Sequence, residues 1–254
     1  QRSVKARLEA YDRDTAPLIT YFRAQHKLRT VEGSELVALG QGKTGECGEF
    51  SLYDLPEEGV GSRRILRAGD KKIDMLEADM DTHATTTLAL RQPMADDLRV
   101  TITALRTASL IERIGDYAKN IAKRSVVLSQ SPPLGPAKSI NRMATLVQGM
   151  IKDVLDAYVA RDVDKAEAVR ARDADADLLH TSLFREILTY MMEDPRTITS
   201  CTHLLFVAKN LERIGDHATN IAENVYYLVN GEPPVDEREK SDASSFTVVE
   251  HEAE

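Results

Sequence analysis

Apolar residues recur at three- and four-residue spacing through the C-terminal half of the chain. Between residues 138 and 160 these positions are occupied by Ile140, Met143, Leu146, Val147, Met150, Ile151, Val154, Leu155 and Tyr158. Such spacing is typical of an amphipathic helix. A second helix is predicted to begin at the capping residue Asp162 and to end before Pro195, and a third to end at Gly231. Long amphipathic helices with short connections favour an antiparallel bundle over residues 138–231.

Residues 64–130 repeat the second and third helices of this plan. A break at Arg91-Gln92-Pro93 corresponds to the later one at Asp194-Pro195. Residues 131–137, which begin Ser-Pro-Pro-Leu-Gly-Pro, are predicted to link the two repeats. The first repeat has no counterpart of the helix at 138–160, so two helices are predicted where the second repeat has three. Self-similarity of this kind indicates a repeat architecture.

The remaining segments do not follow the repeat. Residues 1–36 are predicted to contain short helices and a short strand at 29–32. Residues 37–63 are rich in glycine, which is unfavourable in a helix interior, and are predicted to be a loop or disordered. Residues 232–254 combine prolines, charges and serines without periodicity, which predicts an acidic disordered tail.

The charge balance limits the function classes. There are 33 Lys and Arg against 41 Asp and Glu, giving a formal net charge of −8. An acidic chain argues against a nucleic-acid partner, which requires a basic surface. No apolar run approaches the length of a membrane span. The two cysteines, Cys47 and Cys201, indicate no disulfide framework, so a reducing, cytoplasmic location is expected.

The sequence Glu-Arg-Ile-Gly-Asp occurs twice, at 112–116 and 212–216. In each copy Glu and Asp are four residues apart, which places their Cβ atoms roughly 5–6 Å apart on a helix. A helical wheel places both carboxylates off the apolar stripe, where their like charges repel each other. A cation between them would remove the repulsion, and carboxylates suit iron, manganese, magnesium or zinc. The same four-residue spacing recurs on the preceding helix of each repeat, in Asp70/Asp74 and Asp173/Asp177.

Two other interpretations of the acidic pairs stay open. They could form a charged, solvated face in which the adjacent Arg113 and Arg213 supply neutralisation. They could also belong to a di-metal carboxylate enzyme, but such sites use Glu-x-x-His, and neither repeat contains that pattern. A glycine kept inside both helices favours a close approach by a neighbour or ligand. Among the histidines, His180 is a better ligand candidate than His217, which points away from the cluster face.

The chain resembles the PhoU family of phosphate-transport regulatory proteins. The resemblance rests on Leu-Ala-Leu-Arg-Gln-Pro-Met-Ala-Asp-Asp-Leu-Arg-Val at 88–100, on the doubled Glu-Arg-Ile-Gly-Asp helices, and on the doubled aspartate pattern. It covers about residues 65–231. It implies an all-α fold of two tandem three-helix bundles, the first lacking its first helix. It also implies multinuclear iron or zinc clusters on the bundle surface, whose ligands would be Glu112, Asp116, Glu212, Asp216, Asp70, Asp74, Asp173 and Asp177.

The same resemblance implies a function without catalysis. PhoU proteins are negative regulators of phosphate uptake that link the phosphate ABC transporter to the sensor histidine kinase of the phosphate response. We therefore expect a cytoplasmic regulator that is not an enzyme, and also a homodimer.

Residues 1–34 are similar to a different family, the adenylate kinases, at their C-terminal end. Arg7 stands where that family has a phosphate-contacting arginine. The phosphate loop and most of the lid have no counterpart in this sequence, and phosphoryl transfer requires them. The alternatives left open are a genuine fusion, or a frameshifted or misassembled reading frame. A kinase-derived fragment without an intact catalytic site is therefore the alternative function.

Overall fold

A computed structural model describes residues 59–132 and 134–235, with the side chains of 59–70 and 72 left out. The adenylate-kinase-like segment, the strand predicted at 29–32, the Gly-rich residues up to 58 and the tail from 236 onward lie outside the described residues. Within them, every regular element is helical, which confirms the all-α prediction.

Six α-helices and one 3-10 turn make up the described chain. They are α1 Gly59–Arg91, α2 Asp96–Leu128, α3 Ala137–Ala160, α4 Val163–Ala171, α5 Asp173–Glu193, the 3-10 turn Pro195–Thr197, and α6 Ile198–Asn230. Helix α1 packs along α2, and α2 packs along α6. Helix α6 also packs against α3, α4 and α5. The first repeat is therefore α1–α2, and the second is α3–α6.

Local chemistry sets several predicted boundaries in the second repeat. The Asp162 carboxylate accepts a hydrogen bond from the Lys165 amide at 3.0 Å, so it caps α4 as predicted. Helix α5 ends at Glu193, before Asp194 and Pro195. Gly231 ends α6 in the left-handed conformation with φ 81°, and its amide donates to the Tyr227 carbonyl. Only glycine adopts that conformation without strain.

Two predicted boundaries are wrong. Helix α1 begins at Gly59, so the loop predicted over 37–63 is helical at 59–63. Each added residue of an existing helix gains a hydrogen bond, which offsets the roughly 1 kcal/mol that a glycine costs. The single helix predicted between Asp162 and Pro195 is broken at Arg172 into α4 and α5. Arg172 is drawn toward α3, where its guanidinium lies 2.5 Å from the Asp153 carboxylate.

The core of the second repeat is built from the apolar stripe that the sequence predicts, together with α5 and α6. Its fully buried side chains are Ile140, Met143, Val147, Met150, Val154, Leu183, Ile187, Leu204, Val207 and Ile221. Leu128, the last residue of α2, belongs to the same cluster. The first repeat is thus joined to the second through a shared core as well as through the chain.

Helices α2 and α6 meet through equivalent positions of the two repeats. The rings of Tyr117 and His217 stack with centroids 5.6 Å apart and an interplanar angle of 19°. Further along, the Arg124 guanidinium lies 4.0 Å from the Phe206 ring centroid, and Arg106 lies 5.8 Å from the Tyr227 ring. These pairs run in opposite directions from the central stack, so the two helices are antiparallel and related by an approximate two-fold axis.

The glycine repeated at 115 and 215 marks a second kind of helix contact. A Cβ atom added at Gly115 would lie 3.1 Å from Ile73 Cδ1 on α1. One added at Gly215 would lie 3.8 Å from Val147 and 3.9 Å from Ala176 on α5. Ile73 and Ala176 occupy the same place in the doubled aspartate pattern. In both repeats, therefore, the preceding helix approaches the following one at its mid-helix glycine.

Replacing the two glycines should give unequal results. Gly215→Ala is expected to raise the free energy of unfolding of the metal-free protein by about 1 kcal/mol, the usual advantage of alanine over glycine in a helix. Its methyl group would meet Val147 and Ala176 at ordinary van der Waals distances. Gly115→Ala is expected to gain clearly less, because Ile73 has to shift. Urea denaturation followed by circular dichroism measures both changes.

Ile73→Val supplies the matched control, because it removes the Cδ1 atom that the new methyl group would meet. In the Gly115→Ala/Ile73→Val variant, the combined change in stability is expected to be more favourable than the sum of the separate changes. Additive changes, or equal gains at the two glycines, would contradict the close approach at Ile73.

Candidate metal-binding sites

The first acidic group lies across α1 and α2, and we call it the first cluster. It comprises Asp74 and Glu77 on α1, and Glu112 and Asp116 on α2. Asp74 and Asp116 are exposed, whereas Glu77 and Glu112 are half-buried. Asp70 lies one turn before Asp74 on α1, and its side chain is outside the described part of the structure. The predicted pairs of α1 and α2 are neighbours, because the charges of Asp74 and Asp116 both act on the Glu112 carboxyl.

Repulsion within the first cluster is visible at Glu112. Partial burial raises the pKa of this carboxyl, and the charges of Asp116, Glu77 and Asp74 raise it further. Arg113 opposes the shift and does not cancel it. Asp116 pairs with Lys119 at 3.1 Å on the exposed side of α2. The first cluster therefore carries an excess of negative charge that an added cation would relieve.

The second acidic group, which we call the second cluster, lies across α5 and α6. It comprises Asp173, Asp177 and His180 on α5, and Glu212 and Asp216 on α6. Asp173, Asp177 and His180 are each 3% exposed and Glu212 is 6% exposed. The helical wheel places Glu212 and Asp216 off the apolar stripe, and the family resemblance implies a surface position for all four carboxylates. For Asp173, Asp177 and Glu212 the surface position is wrong, because all three are buried. Helix α6 is packed against four other helices, so the face beside its apolar stripe is covered as well.

Protein groups partly neutralise the second cluster. The Lys209 ammonium lies 2.9 Å from Glu212 Oε1, and the Thr219 hydroxyl donates to Asp173 Oδ1 at 3.1 Å. Burial raises the pKa of Glu212, and Lys209 and His180 lower it while Asp216 raises it. The net shift is upward, so the ionised form of Glu212 is under-compensated even with Lys209 in place. Glu212 Oε2 is buried and accepts no hydrogen bond from any described residue.

The donor chemistry of both clusters fits a hard or borderline divalent metal. Carboxylate oxygens, with an imidazole at His180, are the ligands that iron and zinc use in proteins. A bound cation would give the buried Glu212 Oε2 atom a partner, and it would offset the repulsion between carboxylates at Glu112. In the part of the chain that the structure describes, no three His, Cys, Asp or Glu side chains are placed to hold one ion together. The carboxylates stand as pairs on adjacent helices, which would have to turn toward each other to share an ion.

The sequence-based prediction did not include Glu77 or Lys209, and it named His180 only as a ligand candidate. Glu77 and His180 each lie three residues after the second aspartate of the doubled pattern, so the repeat itself could have identified them as equivalent. Lys209 lies three residues before Glu212, which is one helical turn. Comparison of the repeats could have identified it, because the first repeat has Ser109 at the same position. His217 stacks on Tyr117 away from the second cluster, as the wheel predicted.

The described chain is an all-helical protein of two related repeats, each presenting carboxylates across two neighbouring helices. The sequence profile described as the PhoU domain matches residues 60–125 and 140–225, which together make up more than half of the chain. The chain belongs to the PhoU family. The resemblance read from the doubled motifs is therefore confirmed for that part of the sequence.

Relatives and solved structures agree with this assignment. The phosphate-specific transport system accessory protein PhoU homolog of Caulobacter vibrioides (strain NA1000 / CB15N) is 52% identical over 179 residues, 70% of this chain and 78% of that protein. The homolog of the same description from Rhizobium meliloti (strain 1021) is 50% identical over 231 residues, 91% of this chain and 96% of that protein. The crystal structure of PhoU from Pseudomonas aeruginosa has a TM-score of 0.75 and 31% identity, covering 87% of this chain and all of that one.

Three further findings concern the fold, the extent of the match and the helices. The PhoU structure from Streptococcus pneumoniae, at 24% identity and a TM-score of 0.72, supports the fold alone. Because the Rhizobium meliloti match covers 91% of the chain, it includes residues that precede 59. Among the described helices, none combines the length and the apolar character that crossing a membrane requires.

Removing the charge of Glu112 should stabilise the metal-free protein. Glu112→Gln is expected to raise the free energy of unfolding at neutral pH by a few tenths of a kcal/mol, the size of a like-charge pair on a helix. A carboxyl whose pKa is raised by folding is protonated more readily in the folded state, so its ionisation destabilises the fold at neutral pH. The gain should shrink as the pH falls through the raised pKa of Glu112, and vanish below the unfolded value of about 4.3. Urea midpoints measured in EDTA across this range test the prediction.

Glu167→Gln is the matched control for this titration. Glu167 pairs with Arg170 at 2.8 Å on α4, so its charge interacts favourably in the folded state. Neutralising it should not stabilise the protein at neutral pH. A gain at Glu112 that persisted unchanged in acid would contradict the repulsion among the carboxylates of the first cluster.

Proposed function

We propose that this protein is a cytoplasmic, metal-binding negative regulator of phosphate uptake that couples the phosphate ABC transporter to the sensor histidine kinase of the phosphate response. The observation that carries the proposal is the doubled carboxylate cluster on a PhoU-domain repeat. Membership of the family supports a regulatory role in phosphate transport, because the relatives are described as accessory proteins of a phosphate-specific transport system. Iron or zinc is the proposed metal, in a multinuclear arrangement, and a homodimer is the proposed assembly.

The metal, when bound, supplies positive charge that the paired carboxylates lack. The protein would supply the ligand oxygens. In the first repeat these belong to Glu112 and Asp116 on α2 and to Asp74 on α1, and Asp70 lies one turn away on α1. Glu212 and Asp216 with Asp173 and Asp177 do the same in the second repeat. We infer a regulator rather than an enzyme, because the relatives are described as accessory proteins of a phosphate-specific transport system.

Exposed apolar residues beside the clusters support a partner-docking role. Met75 follows Asp74 and is 68% exposed, and Leu178 follows Asp177 and is 59% exposed. They occupy equivalent positions in the two repeats. Their repetition at equivalent places beside the charged groups is the reason for assigning them a contact with a protein partner. A metal-dependent change in the neighbouring helices would then be felt directly at the docking residues.

Metal content tests the first half of the proposal. The purified protein is expected to carry stoichiometric iron or zinc, because two pairs of carboxylates in each repeat offer hard oxygen ligands. A folded variant carrying Glu112→Ala, Asp116→Ala, Glu212→Ala and Asp216→Ala is expected to carry none. Inductively coupled plasma mass spectrometry measures the metal, and circular dichroism checks the fold.

The matched control removes the same number of charges elsewhere. Its substitutions, Asp79→Ala, Asp81→Ala, Asp164→Ala and Glu193→Ala, fall on exposed residues outside both clusters. That variant should keep its metal. If the wild type stays metal-free after loading, the clusters act in docking or packing, and the regulatory proposal has to rest on partner binding.

Repression of the phosphate response tests the second half. In a bacterial strain without its own PhoU, the wild-type chain is expected to restore repression of a phosphate-response reporter in phosphate-rich medium. The Met75→Ser/Leu178→Ser variant should fold and bind metal but fail to restore repression, because it loses the apolar docking residues. Val159→Ser/Met192→Ser changes two other exposed apolar residues and is the control. Equal repression by both variants would exclude Met75 and Leu178 as docking residues.

A further inference from the structure

The two clusters occupy equivalent places in the repeats but differ in charge. His180 of the second cluster stands where the first has Glu77. Lys209 stands where the first repeat has Ser109. Both replacements make the second cluster more positive than the first. The difference in charge is not evident from the repeated Glu-Arg-Ile-Gly-Asp sequence, because both replacements lie outside it.

Lys209 contacts the carboxylate of Glu212 in the second cluster. Its ammonium lies 2.9 Å from Glu212 Oε1, and the side chains of Lys209 and Glu212 are 39% and 7% exposed. The ammonium therefore reaches into the cluster from its solvent side. The second oxygen of Glu212 is buried without a hydrogen-bond partner among the described residues. The protein thus holds one positive charge at this carboxylate while leaving an unsatisfied acceptor directly beside it.

In the first cluster the ammonium is at the exposed Asp116, which Lys119 contacts at 3.1 Å, and among the described residues no lysine is hydrogen-bonded to Glu112. Asp116, Glu77 and Asp74 all act on its carboxylate with the same sign. The one cation acting on it is Arg113, which is exposed. A divalent cation approaching Glu112 would not have to break a hydrogen bond between this carboxylate and an ammonium, although Lys119 lies at the neighbouring Asp116. One approaching Glu212 would have to displace an ammonium that is already hydrogen-bonded.

We propose that Lys209 is a built-in cation that competes with divalent metal for Glu212, so that the second cluster binds metal more weakly than the first. The inference rests on the proposed metal-binding function and adds an order of filling to it. The first cluster would fill at low metal concentration. The second would fill only when the metal displaces Lys209 to solvent, which its partly exposed side chain allows. The two repeats would then respond to different metal concentrations.

Titration of the metal-stripped full-length protein with Zn²⁺ tests the order of filling. Isothermal titration calorimetry is expected to resolve two classes of site in the wild type. The weaker class should disappear in Glu212→Ala/Asp216→Ala, and the stronger in Glu112→Ala/Asp116→Ala. Lys209→Ser, which installs the residue of the first repeat, should tighten the weaker class by about tenfold, since a charge-assisted hydrogen bond no longer has to be broken. Lys152→Ser, at an exposed lysine on α3, should change neither class.

A second variant, Ser109→Lys, tests the same proposal if Lys209→Ser folds poorly. Ser109→Lys places an ammonium one turn before Glu112, as Lys209 is placed before Glu212. It should weaken the stronger class and leave the weaker one unchanged. Thermal unfolding gives an independent readout, because saturating Zn²⁺ should raise the melting temperature of Lys209→Ser more than that of the wild type.

The outcomes separate this inference from the function it rests on. Two classes of site with the predicted shifts would support both. The role of Lys209 would be overturned if Zn²⁺ bound to two equal sites. It would also be overturned if Lys209→Ser left the weaker site unchanged and Ser109→Lys left the stronger site unchanged. Either result would leave metal binding intact. No Zn²⁺ binding by any variant would overturn metal binding and the role of Lys209 together.

Discussion

The packing of α6 against four other helices is the constraint on which the rest of the second repeat depends. A helix of 33 residues that contacts α2, α3, α4 and α5 leaves few positions for solvated charge, of which Arg213 is one. Its polar residues therefore need partners inside the protein, since a buried polar group without one destabilises the fold. Thr219 bonds to Asp173 on α5, and Glu212 bonds to Lys209 on its own helix. Asp173 thus joins α5 to α6 before any cation is considered.

The first repeat experiences a weaker form of the same constraint. Helix α2 packs against α1 and α6, and its Glu112 is left half-buried and Asp116 exposed. Its carboxylates can remain charged in water, although they repel one another. One short sequence therefore has two different environments in a single chain. Repetition of five residues identifies shared backbone geometry, whereas residues one turn away, such as Ser109 and Lys209, determine the local charge.

Much of the fold could be predicted because it depends on local chemistry. The apolar stripe of α3, the cap at Asp162 and the left-handed Gly231 all act within a few residues of themselves. The break at Arg172 could not be read, because its partner Asp153 lies on another helix. The burial of Glu212 was missed for a similar reason: a helical wheel assumes one covered face, and α6 has several. The carboxylate pairs could be located from their spacing, but their degree of neutralisation depends on tertiary packing.

The stack of Tyr117 on His217 has a consequence for how such a chain arises. These residues hold the same position in the two repeats, and they meet where α2 and α6 cross. If two identical copies of one repeat paired in this way, a single residue would face itself across the symmetry axis. Any substitution there would be imposed on both sides at once. Joining the copies in one polypeptide releases that restriction, so a phenol can face an imidazole, and each half can then diverge while the joint between them is retained.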